Sequence, residues 1–211
     1  NEDVINAYET SKTVLTGLGH KLIEVDFSEL SSGICSYYVI APAECSSNLS
    51  RFDGVKYGYR SEGEKDIANL YMNTRSDGFG DEVKKRILIG THVLSAGFYD
   101  AYYLQAQKVR RMIKVKFENF FKDVDLIFMP TTLDQAFEKN RKSDDPNRMY
   151  KEDLLTIPAN LAGLPAISFP NGFKNNLPIG GQLIGKYFGE DLLLNTTNKI
   201  QEVTDWHKMT P

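Results

Sequence analysis

The chain has 211 residues, of which 41% are hydrophobic and 25% are charged, and its formal net charge is −3. This balance is typical of a globular protein and argues against disorder, and the acidic excess argues against nucleic-acid binding through a basic surface. Cys35 and Cys45 are too few for a disulfide framework and match no zinc pattern, so we expect both to be buried apolar residues. No membrane span or signal peptide is recognised, so the expected location is cytoplasmic.

The first third of the chain predicts a helix, a strand and further helices. A helix is expected over residues 1–19, with Gly17 and Gly19 at its end, and a strand over Lys21–Phe27. Residues 36–52 fit either a strand or a helix, and the spacing favours a helix with Pro42 near its first turns. A further helix is predicted over about 64–73.

The middle of the chain predicts the longest element. A glycine-rich loop from Arg75 leads into a helix whose positive end carries Asp81 and Glu82. An apolar stripe then predicts one long helix over about 92–121, followed by a buried strand over Val124–Thr132. A polar loop follows, with a short helix starting near 145–146.

The stretch Thr156–Gly185 is the centre of the predicted fold. Its two short apolar runs lie between glycines and prolines, which favours a turn, a buried strand, a loop and a second buried strand. An amphipathic helix over Gly189–Trp206 closes the chain. The sequence therefore predicts a single α/β domain over residues 1–211, with a layered mixed sheet flanked by helices.

Two groups of polar side chains are candidates for a binding role. Five basic residues share the face of a predicted helix opposite its apolar stripe, and a solvated surface is the favoured interpretation: Lys108, Arg110, Arg111, Lys114 and Lys116. Tyr37, Arg86 and Asp153 each lie at the edge of a predicted element. An Arg and an Asp facing one pocket could hold an amino acid by its carboxylate and its ammonium group, although the spacing alone favours surface ion pairs.

Several blocks of sequence resemble a known family. NLAGLPAISFP, followed by the pattern G-x-x-x-x-L-P-I-G-x-Q-x-I-G, resembles the closing motif of the amidase signature family. The blocks at 37–61, 75–110 and 144–170, with the TDWHK ending, resemble the A subunits of glutamyl-tRNA(Gln) amidotransferases within that family. The resemblance implies the C-terminal part of the amidase signature fold.

The resemblance also implies roles for the three candidate residues. Arg86 and Asp153 match glutamine-binding positions of those subunits, and Tyr37 matches a residue that lines the same pocket. No catalytic residue is expected in this chain, because it lacks the family's GGSSGG-type segment with its Ser/Ser/Lys group. The chain begins with Asn1, so we expect the catalytic segment upstream of Asn1 and interpret the chain as the C-terminal half of a subunit.

The function implied by the resemblance is glutamine hydrolysis that supplies ammonia for the conversion of Glu-tRNA(Gln) to Gln-tRNA(Gln). The implied partners are glutamine, the B and C subunits and, through the complex, Glu-tRNA(Gln), with ATP and Mg²⁺ acting at a partner subunit. No cofactor or metal is expected in this chain, and the chain alone is expected to be inactive. Two alternatives stay open: a stand-alone amidase for a small amide, and a non-catalytic interaction domain.

Overall fold

The computed structural model describes residues 1–63, 65–137 and 152–211. Contacts between Cα atoms divide the chain into two compact units. The sheet unit comprises Asn1–Ile34 and Arg110–Pro211, and the helical unit comprises Cys35–Val109. The single domain inferred from the sequence stays a prediction.

The described residues form helices and strands in the following order. The helices are α1 (Glu2–Gly17), α2 (Gly33–Leu49), α3 (Ile67–Gly78), α4 (Asp81–Val93), α5 (Leu104–Asp123), α6 (Ile157–Ala162) and α7 (Glu190–Val203). The strands are β1 (Leu126–Pro130), β2 (Ala166–Lys174) and β3 (Leu177–Gly185). Short 3₁₀ helices lie at Ser28–Ser32 and Trp206–Lys208, and a π-helical turn lies at Tyr99–Tyr103.

The sheet unit contains a three-stranded antiparallel sheet in the order β1-β3-β2. A two-residue turn joins β2 and β3, where the predicted loop was longer. Asn175 and Asn176 have φ angles of 53° and 60°, the left-handed conformation that type I′ hairpin turns require and that Asn tolerates. The register between the two strands shifts between Pro170 and Phe173, where Gly172 has a φ of 133°.

One hydrophobic cluster of the sheet unit covers one face of this sheet. Leu15 on α1 packs with Leu193 and Ile200 on α7 against Phe169 and Leu183 of the strands. Side chains alternate between the two faces of a strand, so the neighbours of Leu183 along β3 point to the opposite face. That second face is the one that carries the polar cavity described below.

The helical unit contains a close crossing of α2 and α4. A Cβ at Gly90 would lie 1.9 Å from the carbonyl oxygen of Pro42, so the two backbones touch here and only glycine fits. The hydroxyls of Ser46 and Thr91 lie 2.8 Å apart beside the crossing. Pro42 is in the interior of α2 and not in its first turns, which corrects the prediction.

The strand predicted over Lys21–Phe27 is absent from the structure, where this segment has no regular structure. Its apolar residues do not share a buried face, because Leu22 and Ile23 are both exposed. The segment ends where the Asp26 carboxylate accepts a hydrogen bond of 2.8 Å from the backbone N–H of Ser28, a turn that leads into a 3₁₀ helix. Alternation of charge alone does not make a strand when no neighbouring strand pairs with it.

The single long helix predicted over 92–121 is also wrong. The helix α4 ends at Val93, and α5 begins only at Leu104, after the π-helical turn. Gly97 lies between them with a φ of +89°, a left-handed conformation that interrupts an α-helix. The start of α4 is as predicted, with Asp81 and Glu82 in its first turn.

The remaining sequence predictions have mixed outcomes. The α/β class is confirmed, with helices beside a small sheet. Burial of the cysteines is wrong, because Cys35 is exposed and Cys45 is only half-buried. The short helix near 145–146 lies outside the described residues. Among the residues that the structure describes, no helix is long and apolar enough to cross a membrane.

Candidate functional site

Asp153 lies in a tight turn that precedes α6 in the sheet unit. Its backbone carbonyl accepts hydrogen bonds from the N–H groups of Thr156 and Ile157, at 3.2 Å and 3.0 Å, and from the Thr156 hydroxyl at 3.2 Å. The side chain of Asp153 is exposed, in agreement with a binding role. The turn thus fixes the backbone of Asp153 while its carboxylate faces outward.

Gln182, in the central strand β3, connects this turn to the sheet. Its side chain is only 3% exposed. The amide nitrogen Nε2 donates to the carbonyl oxygens of Pro130 and Leu155, at 3.0 Å and 2.9 Å. Pro130 ends β1, and Leu155 is two residues after Asp153. One buried carboxamide therefore joins the end of β1 and the Asp153 turn to the middle of the sheet.

A cavity of about 300 Å³ lies beside the same turn. Its polar lining includes the hydroxyls of Thr131 and Ser168, which lie 3.0 Å apart, and the side chain of Asn160, which donates to the Thr156 carbonyl at 2.9 Å. The lining residues are Thr131, Thr156, Ala159, Asn160, Leu164, Ala166, Ile167, Ser168 and Gln182. This lining is uncharged, so it can orient a polar group by hydrogen bonds but offers no strong acid or base.

Tyr37 and Arg86 lie in the helical unit, on α2 and α4. Arg86 has an exposed side-chain fraction of 38%, and its Nε lies 3.3 Å from the Glu82 carboxylate one turn earlier. Tyr37 is half-buried, and its ring meets that of Tyr38 edge to face at 5.1 Å. Arg86 is one helical turn before Gly90 and so lies close to the crossing of α2 and α4. The guanidinium is accessible to an anionic ligand.

The structure thus places two of the three predicted residues in the helical unit and the third in the sheet unit. The sequence reasoning missed the polar groups around Asp153: Gln182, Thr131 and Ser168. A signal for Gln182 was present, because it is the polar residue inside the apolar run of β3, where a buried amide must find hydrogen-bond partners. No comparable signal marked the two hydroxyls.

No group of three His, Cys, Asp or Glu side chains in the described parts of the chain could hold a metal ion. Some of the basic residues predicted to form a solvated surface make structural contacts. Arg110 donates from Nε to the carbonyl oxygen of Leu161 at 2.9 Å and thereby joins α5 to the end of α6. Lys114 lies over the Tyr187 ring, with its Nζ 5.1 Å from the ring centre.

Comparison with known proteins gives consistent results. The family model described as Amidase matches residues 1–194. Over all 211 residues the chain is 55% identical to the A subunit of the glutamyl-tRNA(Gln) amidotransferase from Hahella chejuensis and covers 44% of that relative. It is 53% identical to the protein of the same name from Coxiella burnetii, again over the whole chain and 44% of the relative. The chain therefore spans less than half the length of these relatives.

Two solved structures are similar to this chain, one in both sequence and fold and the other in fold alone. The A subunit of the glutamyl-tRNA(Gln) amidotransferase from Thermotoga maritima aligns with a TM-score of 0.72 at 38% identity, covering 100% of this chain and 41% of that one. A structure described as an amidase also aligns with a TM-score of 0.72, but at 18% identity, covering 96% of this chain and 42% of that one. The second similarity concerns the fold alone.

Proposed function

Because the chain belongs to the amidase family, we propose that it is part of the glutamine-hydrolysing A subunit of a glutamyl-tRNA(Gln) amidotransferase. The observation that carries this proposal is the identity of 55% to such a subunit over every residue of the chain. It agrees with the resemblance found in the sequence alone. A stand-alone amidase is less well supported, because the similarity to a solved amidase is limited to the fold.

In this proposal the chain binds glutamine and contributes no nucleophile. Arg86 takes the α-carboxylate of glutamine through two parallel hydrogen bonds, and Asp153 takes the ammonium group. Tyr37 lines the pocket. The exposure of the Arg86 and Asp153 side chains supports these roles. Acyl transfer requires a nucleophile in contact with a base, and the Ser/Ser/Lys group that would provide it lies outside these 211 residues.

The ammonia released from glutamine would serve a second reaction in the complex. A partner subunit uses ATP and Mg²⁺ to activate the side-chain carboxylate of Glu-tRNA(Gln), and ammonia converts it to the amide of Gln-tRNA(Gln). The A subunit would work with B and C subunits in a cytoplasmic heterotrimer. The name of the relatives, which joins an amidotransferase to Glu-tRNA(Gln), supports this assignment.

The direct test is the glutamine KM of the intact subunit with Arg86→Ala. Loss of a charged hydrogen-bonded pair should raise KM by about 10²-fold. Lys84→Ala is the matched control, since Lys84 lies on the same helix and pairs with Asp81 at 3.1 Å. Its KM should stay within about twofold, because a surface pair of this kind contributes little. An unchanged KM in Arg86→Ala would remove Arg86 from the pocket.

A second test asks whether the chain alone hydrolyses glutamine and which subunits the intact protein assembles with. The purified 211-residue chain should hydrolyse no glutamine, and turnover by this chain alone would show that it carries its own nucleophile. The intact subunit should co-purify with two further amidotransferase subunits. If it instead purifies alone and hydrolyses a small amide without tRNA, the stand-alone amidase would replace the amidotransferase assignment.

A further inference from the structure

The buried carboxamide of Gln182 connects the sheet to the segment that carries Asp153. Gln182 lies on the face of β3 opposite to Leu183, away from the helices α1 and α7. Both hydrogens of its Nε2 are used, one for the carbonyl of Pro130 and one for that of Leu155. An amide nitrogen is the only part of a Gln side chain that can donate twice. This pair of hydrogen bonds, here called the clamp, holds two backbone segments against the sheet. Close packing of an apolar side chain at this position would not provide it.

The clamp reaches Asp153 through the backbone. Leu155 lies inside the turn in which the carbonyl of Asp153 accepts hydrogen bonds from the N–H groups of Thr156 and Ile157. The turn is also held from the helix side, where Asn160 donates to the Thr156 carbonyl. The side chain of Asp153 is exposed, and the turn fixes the backbone from which its carboxylate extends.

We propose that Gln182 is a positioning residue for Asp153 and thereby helps to set the affinity for the ammonium group of glutamine. This inference rests on the glutamine-binding role proposed above for Asp153. Without the clamp the Leu155 carbonyl loses its buried partner, and the turn is free to move away from the sheet. Small displacements of a binding group are costly, because its hydrogen bonds depend on distance and angle.

The chain contains a matched control for this clamp. Gln135 donates from its Nε2 to two backbone carbonyls as well, those of Lys174 and Leu177, at 3.0 Å and 2.9 Å. These carbonyls flank the β2–β3 hairpin turn, and Gln135 has no part in the Asp153 turn. A substitution at Gln135 therefore removes the same kind of double hydrogen bond from the same unit.

The experiment compares Gln182→Leu with Gln135→Leu in the intact subunit. Both variants should lower Tm, because both leave two carbonyls without their donor. Only Gln182→Leu should raise the glutamine KM, by about tenfold, with kcat within about twofold of the parent. A KM for Gln182→Leu that stays within twofold of the Gln135→Leu value would overturn the proposal. If Gln182→Leu gives no folded subunit, Gln182→Met, an unbranched side chain of similar volume that cannot donate a hydrogen bond, is measured instead and should raise KM in the same way.

A double substitution separates the clamp from the residue it positions. Asp153→Ala alone should raise KM, and adding Gln182→Leu to it should raise KM by no more than about twofold further. A full tenfold further rise would mean that Gln182 acts through something other than Asp153. If Asp153→Ala alone leaves KM unchanged, the glutamine-binding role of Asp153 itself is wrong. If Asp153→Ala raises KM while Gln182→Leu does not, only the positioning role is wrong.

Discussion

Among the described residues, the large side chains that are less than 2% exposed all lie in the sheet unit, although both units also leave apolar side chains exposed. Ile113 and Ile184 of the sheet unit are 0% exposed, and Phe117 is 1% exposed. In the helical unit Leu88 is 70% exposed and Met72 is 60% exposed. Both units therefore carry apolar side chains on their surfaces, and they differ in the depth at which their most buried large side chains lie.

The same contrast separates the candidate site residues. The turn at Asp153 is held by hydrogen bonds from buried groups of the sheet unit, including Gln182. Arg86 lies on an exposed part of α4 beside Glu82, in an ion pair that contributes at most about 1 kcal/mol. We infer that the sheet unit fixes the backbone of Asp153 before any ligand binds. The helical unit offers a charged side chain that a ligand can still orient.

The largest effect that tests this comparison is expected from Ile184→Ala. Ile184 is fully buried in the central strand, so its loss leaves a cavity and should lower the free energy of unfolding by about 2–5 kcal/mol. Leu88→Ala, at an exposed position of the helical unit, should change it by less than about 0.5 kcal/mol. Urea denaturation of the 211-residue chain measures both. Equal losses in the two variants would mean that the two positions do not differ in burial in this way.

A smaller effect is expected where the helical unit is tightly packed. Gly90→Ala places a Cβ against the Pro42 backbone, which cannot move aside without shifting α2, and should cost about 1–3 kcal/mol. Hydrogen exchange should rise in α2 and α4 and stay unchanged in β3. Gly17→Ala is the control, because apart from the local backbone of α1 no atom lies within 4 Å of the added Cβ. A Gly90→Ala variant as stable as Gly17→Ala would disprove the close crossing.

The hairpin of the sheet unit gives a third, weaker test. Asn176 has a φ of 60°, so Asn176→Ala should cost about 1 kcal/mol, since a Cβ without a polar side chain disfavours this conformation. Asn176→Gly should be tolerated, because glycine adopts left-handed angles freely. Thermal unfolding of the two variants gives the ranking. A ranking in which Ala is as stable as Gly would exclude the type I′ turn.

The smallest effect concerns acid stability in the helical unit. Hydrogen bonds from the backbone N–H groups of Val55 and Lys56 lower the pKa of Asp53 below its ordinary value of 3.8. A pKa that is lower in the folded state adds stability above the unfolded-state pKa, and this stability is lost as the pH falls through the folded-state pKa. Asp53→Asn cannot ionise, so its free energy of unfolding should fall less steeply than that of the parent as the pH drops below about 4. If the parent and Asp53→Asn unfold in acid at the same pH and with the same steepness, the lowered pKa of Asp53 would be contradicted.

The sequence predicted those parts of the fold in which local signals agree with packing. The start of α4 was predictable from Asp81 and Glu82, since acidic residues stabilise the positive end of a helix. The core strands were predictable from short apolar runs between Gly and Pro. The strand at Lys21–Phe27 was not, because a strand needs a partner and the alternation of residues does not supply one. The break after Val93 depends on the left-handed angle of Gly97, which composition does not reveal.

The candidate site could be predicted only in part, for a related reason. Arg86 and Asp153 lie in recognisable blocks of sequence, so the resemblance found them. The hydrogen bonds of Gln182 join residues 27 and 52 positions away along the chain. Such contacts depend on the register of β1, β2 and β3, which the pattern of apolar residues does not define. The cysteines were misjudged because general burial preferences say little about one position on a helix.

The central claim is that Arg86 and Asp153 bind glutamine for an ammonia-dependent synthesis. The most direct test measures formation of Gln-tRNA(Gln) by the assembled amidotransferase with either limiting glutamine or free ammonia as the nitrogen donor. With Arg86→Ala or Asp153→Ala, the glutamine-driven rate should fall at least about tenfold, while the ammonia-driven rate stays within about twofold, because ammonia bypasses the glutamine pocket. Equal losses with both donors, or no loss with glutamine, would contradict the account.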